Sequence, residues 1–120
     1  LLVWAVSSMG KNDDTGPSVD ALPPTPEPLQ VVGSNTIVIR WDPPTGTSLE
    51  LARYELQRSV NGGSWAAFGS GGESKNIPAN QVRYSDYDVS SDNSYRYRIR
   101  SIYTNSTYSV WVEFAGVTIE

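Results

Sequence analysis

Carboxylates are the first residues to weigh for chemistry, because the 120-residue chain contains no His and no Cys. Most acid–base catalysis, the common zinc sites, thiolate nucleophiles and disulfides are excluded with them. Asp86, Asp88 and Asp92 lie close together in sequence. Asp86 and Asp88 share one face of an extended segment, the kind of oxygen-rich grouping that serves Ca²⁺. No ligand loop of recognised spacing surrounds them, and aspartate at turns and strand ends is ordinary, as it is for Asp13-Asp14. The sequence therefore predicts no enzyme: no catalytic residue, no metal site and no cofactor.

Two other groupings bear on recognition. In Ser94-Tyr95-Arg96-Tyr97-Arg98-Ile99-Arg100-Ser101-Ile102, arginines alternate strictly with residues that suit a core. At period two, Tyr95, Tyr97, Ile99 and Ser101 point one way and Arg96, Arg98 and Arg100 the other. Such a stripe can grip a carboxylate, a phosphate or an acidic partner. The favoured reading is cross-strand pairing with Glu55 and Gln57 on one side and Glu113 on the other, worth roughly 0.2–1 kcal/mol per pair. The loop that follows is the expected contact surface, with Tyr103, Asn105, Thr107 and Tyr108 as its binding residues. Tyrosines offer rigid amphipathic area, and Ser, Thr and Asn offer adaptable hydrogen bonds. Loops at one end of a sandwich commonly carry binding, and Thr45 to Leu51 should emerge at that same end. Asn105-Ser106-Thr107 also fits the N-glycosylation acceptor pattern, which acts only in a secreted eukaryotic protein. Trp65 and Phe68 have the chemistry of a sugar-stacking pair, but a tryptophan in a hairpin strand is expected to lie across its neighbours.

The elements that must position these groups are short strands. Leu1 to Ser8 reads as a strand running into the turn residues Met9 to Asp14, and Val3-Trp4-Ala5-Val6 matches Ile99-Arg100-Ser101-Ile102. Residues 1–14 are therefore read as the end of a preceding copy of the same fold, or else as an extra strand or arm. Residues 15–26 carry Pro17, Pro23, Pro24 and Pro26, and their composition predicts an extended, stiff linker. The main domain, 27–120, opens with Leu29 to Gly33, an edge strand guarded by Pro28. Thr36 to Trp41 follows, with Ile37, Ile39 and Trp41 inward, and Asp42-Pro43-Pro44 ends it. Arg53 to Arg58 is the next alternating run, with Tyr54 and Leu56 inward. Asn61-Gly62-Gly63 should turn the chain so that Ser64 to Phe68 returns beside it. Gly69 to Lys75 reads as flexible. Short strands are expected around Gln81 to Tyr84, from Tyr95 to Ile102, and from Val110 towards Ile119. Seven strands without a helix predict an all-β, antiparallel, immunoglobulin-like sandwich.

Pro26-Glu27-Pro28-Leu29, Ile39-Arg40-Trp41-Asp42-Pro43-Pro44, Arg53-Tyr54-Glu55-Leu56, and Val89 six residues before Tyr95, in this order, resemble a fibronectin type III domain over about residues 27 to 120. The resemblance implies that Trp41 is the core tryptophan, with Tyr54, Val89, Tyr97 and Ile99 around it. It also implies that Tyr95 forms the tyrosine corner, its hydroxyl reaching back to an upstream backbone group. The Arg-Gly-Asp tripeptide of some family members is absent, and that adhesive activity is not expected.

Lys and Arg total 9 against 13 for Asp and Glu, a net charge of −4. This argues against a nucleic-acid partner, and Leu1 to Val6 is too short for membrane insertion. The chain opens on Leu1 with no basic residue before the apolar run, and is read as a fragment of a longer polypeptide. The expected function is that of a non-catalytic structural or binding module. It would serve as spacer and as protein or glycan contact surface in a large multidomain protein of a virion, such as a phage tail, or of a cell surface. Its partners would be other domains of the same polypeptide and protein or carbohydrate on a cell surface. The alternative is an accessory domain of a secreted carbohydrate-active enzyme.

Overall fold

In the computed structural model, which describes residues 20–66 and 74–120, the strand periodicities become two antiparallel sheets packed face to face. The first sheet contains β1 (Thr25–Pro26), β2 (Gln30–Val32), β3 (Thr36–Asp42) and β6 (Arg83–Asp86). β1 and β2 lie in turn along one side of β3, and β6 along the other. The second contains β5 (Lys75–Pro78), β4 (Leu51–Val60), β7 (Asn93–Tyr103), β8 (Val112–Glu113) and β9 (Val117–Ile119). It runs β5-β4-β7, with β8 and β9 sharing the far side of β7. Nine segments thus fill the seven positions of the expected sandwich.

The alternating residues meet where period two sends them. Ile37, Ile39 and Trp41 from β3 face Tyr54 and Leu56 from β4 and Tyr95, Tyr97 and Ile99 from β7, all buried. The Trp41 and Tyr54 rings pack edge to face, with centroids 5.3 Å apart. The long β4–β7 pairing sets Leu56 opposite Ile99, Glu55 opposite Arg100 and Gln57 opposite Arg98. A slip of one residue would send the arginines into the core, so burial of one face holds the register.

Tyr95 makes the expected corner: its hydroxyl accepts a hydrogen bond from the Ser90 N–H at 2.9 Å, and Val89 is buried beneath that turn. Tyr54 is a useful contrast, because neither its hydroxyl nor the Trp41 indole N–H completes a hydrogen bond among the described residues. Burial pushes the Tyr54 phenol up, and the nearby indole only tempers the rise. The same substitution should therefore have different outcomes at the two sites. Tyr95→Phe is expected to cost about 1 kcal/mol, whereas Tyr54→Phe, which removes an unpaired oxygen, is expected to be neutral or stabilising. Urea denaturation of both variants checks this, and equal losses would contradict the assignment.

Several expectations change. The strand beside β4 is β5, which starts at the last residue of the stretch read as flexible and continues into residues for which no strand was expected, and the return over Ser64 to Phe68 is reduced among the described residues to a single bridge between Arg58 and Ala66. The reason is burial. Ile77 offers an apolar side chain opposite Tyr54 and is only 2% exposed, and Pro78 sits at an edge where no amide donor is required. The short strand expected around Gln81 to Tyr84 lies two residues later, so that Asp86 closes it. The last strand is split between β8 and β9 by Phe114, which is buried and bonds through its N–H to the Tyr97 carbonyl.

The proline-rich stretch 15–26, expected as linker, is part of the sandwich in its described portion, from Asp20 onward. Thr25 and Pro26 pair with Asp42 and Trp41, Ala21 and Pro24 are buried, and the Tyr103 hydroxyl donates to the Leu22 carbonyl at 2.6 Å. Proline suits this edge, since the outer side of β1 needs no donors. The strand expected over residues 1–14 lies outside the described residues, as does Phe68.

Beside β1, the Asp42 carboxylate, through a shared hydrogen bond and then its charge, holds the Glu27 carboxyl above its ordinary value, with Arg40 pulling the other way. A carboxyl raised in the folded state is favoured there in its protonated form. Its contribution is therefore most favourable below the unfolded value of about 4.3 and is lost as pH rises through the raised folded value. Glu27→Gln is expected to raise the melting temperature near pH 7, with the gain vanishing by about pH 4. A gain that does not depend on pH would exclude this origin.

Candidate functional site

Three side chains project from the outward face of β7, and each is held from two directions. Arg100 donates through Nε to Glu55 at 2.8 Å, Arg98 donates through Nε to the Gln57 amide oxygen at 2.8 Å, and Arg96 meets Glu113 at 3.5 Å. Glu55 and Gln57 on one side and Glu113 on the other are the partners expected from the strand order; the first two pairs follow from the β4–β7 register and the third crosses from β7 to β8. Burial holds the Arg98 guanidinium below its ordinary value, with Glu113 opposing the effect and Arg100 adding to it.

Aromatic rings complete the face, and the sequence reading missed this. Trp65 lies against Arg96 and Arg98 at 4.7 and 4.8 Å, Trp111 against Arg98 and Arg100 at 4.3 and 4.6 Å, and Tyr108 against Arg100 at 4.3 Å. The result is a band of alternating rings and guanidinium planes across β7, each contact worth roughly 0.5–1 kcal/mol at this exposure. Trp65 thus lies across its strand neighbours, as expected. Trp111 was legible only as a strand residue. Its phase beside Val112 did point it outward, but the arginines it reaches are more than ten positions away.

Where β5 joins this sheet, Arg53, Glu55, Gln57, Ser74, Asn76, Arg100 and Trp111 line a shallow depression of ≈ 230 Å³. Arg53 and Arg100 both bind Glu55, at 3.0 and 2.7 Å. Counting Arg96, Arg98 and Glu113, the face carries four guanidinium groups against two carboxylates, in a chain whose net charge is −4.

The predicted contact loop is differently disposed. Tyr103 and Thr107 are buried: the first reaches Leu22, and the second is tied at both its N–H and its hydroxyl to the Asn105 side-chain oxygen, at 3.2 and 2.6 Å. Neither offers contact area, which corrects the expectation for those two. The loop spends its polar groups on its own turn, where Ser106 takes a positive φ of 73°. Asn105 is exposed, and Tyr108 is half-buried against Arg100.

Asp86 does not face solvent as a Ca²⁺ ligand would. It is 2% exposed and accepts hydrogen bonds from Arg58 Nη1 at 2.8 Å, the Tyr97 hydroxyl at 2.7 Å and the Asp88 N–H at 3.0 Å. Among the described residues no group of three or more His, Cys, Asp and Glu side chains is placed to hold a metal.

No family model matches the sequence, and neither does any curated protein. Solved structures do match. Titin module A71 from human cardiac muscle superposes with a TM-score of 0.67 at 18% identity, covering 86% of this chain and 95% of that one. The fn3 domain of the human collagen alpha-1(XX) chain superposes with a TM-score of 0.61 at 22% identity, over 84% of this chain and 87% of that one. The fold is that of a fibronectin type III domain. A β-1,2-glucanase from Parabacteroides distasonis also contains this fold, with a TM-score of 0.58 and 19% identity over 84% of this chain but 13% of its own. In fibronectin type III terms, Trp41 and Tyr95 occupy the core and corner positions implied by the sequence, and the arginine-aromatic band lies on the outer face of the larger sheet.

Proposed function

We propose that this fibronectin type III domain is a non-catalytic module of a large multidomain protein, set among further sandwich domains. It spaces its neighbours and offers the outer face of β5-β4-β7-β8 for protein or glycan contact. A virion surface such as a phage tail, or a cell surface, is the setting in which such a module serves. The observation that carries the contact role is the band of Trp65, Arg96, Arg98, Trp111, Arg100 and Tyr108. It preorganises long side chains that would otherwise lose rotamer freedom on binding. The spacer role draws support from the matched titin module and from the glucanase, in which a domain of this fold makes up a small part of a longer chain. Such placement is compatible with any neighbouring activity and does not by itself favour an enzyme accessory role.

An exchange in the parent polypeptide tests the two roles separately. Replacing this domain by titin module A71 should preserve assembly and the spacing of the flanking domains, measured by negative-stain imaging, while abolishing attachment to the target surface. Attachment that survives the exchange would remove the contact role, and failure of spacing would remove the spacer role.

A further inference from the structure

We propose that the depression between β5, β4 and β7 is a subsite for a carboxylate-bearing sugar, one hexuronic acid unit of an acidic polysaccharide. The proposal rests on the reading of this sheet face as a contact surface and assigns the ligand class.

The hydrogen-bonding inventory of the lining decides the ligand's polarity. Every side-chain acceptor that lines it is already engaged. Both Glu55 oxygens take guanidinium donors, the Asn76 oxygen takes Arg53 Nε at 3.2 Å, and the Gln57 oxygen takes Arg98 Nε. The Ser74 hydroxyl oxygen accepts from Gln57 Nε2 at 3.1 Å. Left over among the described residues are donors: Nη1 of Arg53, Nη1 of Arg100, the Asn76 side-chain amide and the Ser74 hydroxyl hydrogen. A surface whose acceptors each already hold a donor and whose remaining N–H and O–H groups are open suits a ligand rich in acceptor oxygens, and two guanidinium groups sharing one glutamate leave a positive charge for a carboxylate to meet.

Size and the aromatic rim decide among carboxylate carriers. At ≈ 230 Å³ the depression is smaller than the about 300–1,000 Å³ of sites that engulf a whole small molecule, and it suits one ring of a longer chain lying over the sheet. Trp111 supplies an apolar border beside Arg100, and Asn76 and Ser74 stand ready for ring hydroxyl oxygens. An aspartate or glutamate of a peptide brings a carboxylate and backbone carbonyls but no ring face to lie beside Trp111, whereas a hexuronic acid brings carboxylate, hydroxyl oxygens and ring together.

Titration of the folded chain with trigalacturonate, followed by NMR of the four tryptophan indole N–H resonances, tests this. The Trp111 resonance is expected to shift and the Trp41 resonance to stay. Fully methyl-esterified trigalacturonate, which keeps ring and hydroxyls but loses the charge, should bind about tenfold more weakly, as should Arg53→Gln with the acid. Asn76→Ala should lose several-fold. If Arg53→Gln does not melt as the parent does, Asn76→Ala and the ester decide. No binding at millimolar acid, equal binding of acid and ester, or equal binding by both variants overturns the subsite. Triglutamate binding as tightly as trigalacturonate overturns the sugar assignment in favour of an acidic peptide. A parent that fails to bind leaves the spacer role, which the domain exchange tests, standing.

Discussion

Asp86→Ala is expected to destabilise the domain by about 3–5 kcal/mol in urea denaturation near pH 7, the range for breaking a buried ion pair by removing one partner. Asp86 hangs from β6 in one sheet and receives Arg58 from β4 and Tyr97 from β7 in the other, so one carboxylate joins the two layers. Burial works against the Arg58 cation, and the bond and charge of Asp86 more than compensate, leaving its pKa raised. Burial, then the Asp86 bond and charge, pushes the Tyr97 phenol far up. Removing the carboxylate takes from the Arg58 guanidinium, whose side chain is 13% exposed, its buried counter-ion, leaving it the exposed Asp88, and takes from the buried Tyr97 hydroxyl its 2.7 Å acceptor. The combination Arg58→Leu, Asp86→Leu, Tyr97→Phe should recover most of the loss, because it removes the guanidinium and the hydroxyl along with the carboxylate they bind. A loss below about 1 kcal/mol for Asp86→Ala would show that Arg58 reaches solvent and that the bridge is dispensable.

The second large effect concerns the boundary of the domain. A chain of residues 27–120 is expected to be about 2–4 kcal/mol less stable than one of residues 20–120. It gives up the burial of Ala21 and Pro24, the pairing of β1 with β3, and the acceptor of the Tyr103 hydroxyl. The bond from the Thr47 hydroxyl to the Asp20 carbonyl, 2.6 Å, goes with them. Denaturation of 1–120, 20–120 and 27–120 side by side measures this. Equal stability of the two shorter chains would return residues 20–26 to the role of linker. The longest chain adds a further test: if it matches 20–120, residues 1–14 add nothing to this domain, as the end of a preceding repeat would, and if it is more stable they act as an additional strand or arm.

Period two is a local property, and what depends on it was open to reading from residue order. The inward phase of Ile37, Ile39 and Trp41, the inward Tyr54 and Leu56, and the outward Arg96, Arg98 and Arg100 all follow from which neighbours are apolar. That the arginines have Glu55 and Gln57 on one side and Glu113 on the other followed too, from strand order and matching alternation, while the individual pairs were set by the register. The corner at Tyr95 was legible for the same reason, since only five residues separate the hydroxyl from the Ser90 N–H it accepts.

Tertiary structure alone decided the rest. β5 looks like loop in isolation, since a single Ile77 between polar residues shows no alternation, and the groove beside β4 supplies its reason to be extended. The prolines before Glu27 suit a free linker and an edge strand equally well, and the choice was made by Tyr103, 81 positions from Leu22. Tyr103 and Thr107 read as contact residues because a polar loop is usually exposed, yet both turn inward, Tyr103 to the distant Leu22 carbonyl and Thr107 to the Asn105 side chain of its own turn. Asp86 lost its candidacy for Ca²⁺ in the same way, to an arginine 28 positions upstream. Along one strand, the residues themselves determine which side is wet. Between strands, which donor meets which acceptor depends on how two sheets close over each other, and that closure assembled both the Asp86 bridge and the band of rings over the arginines.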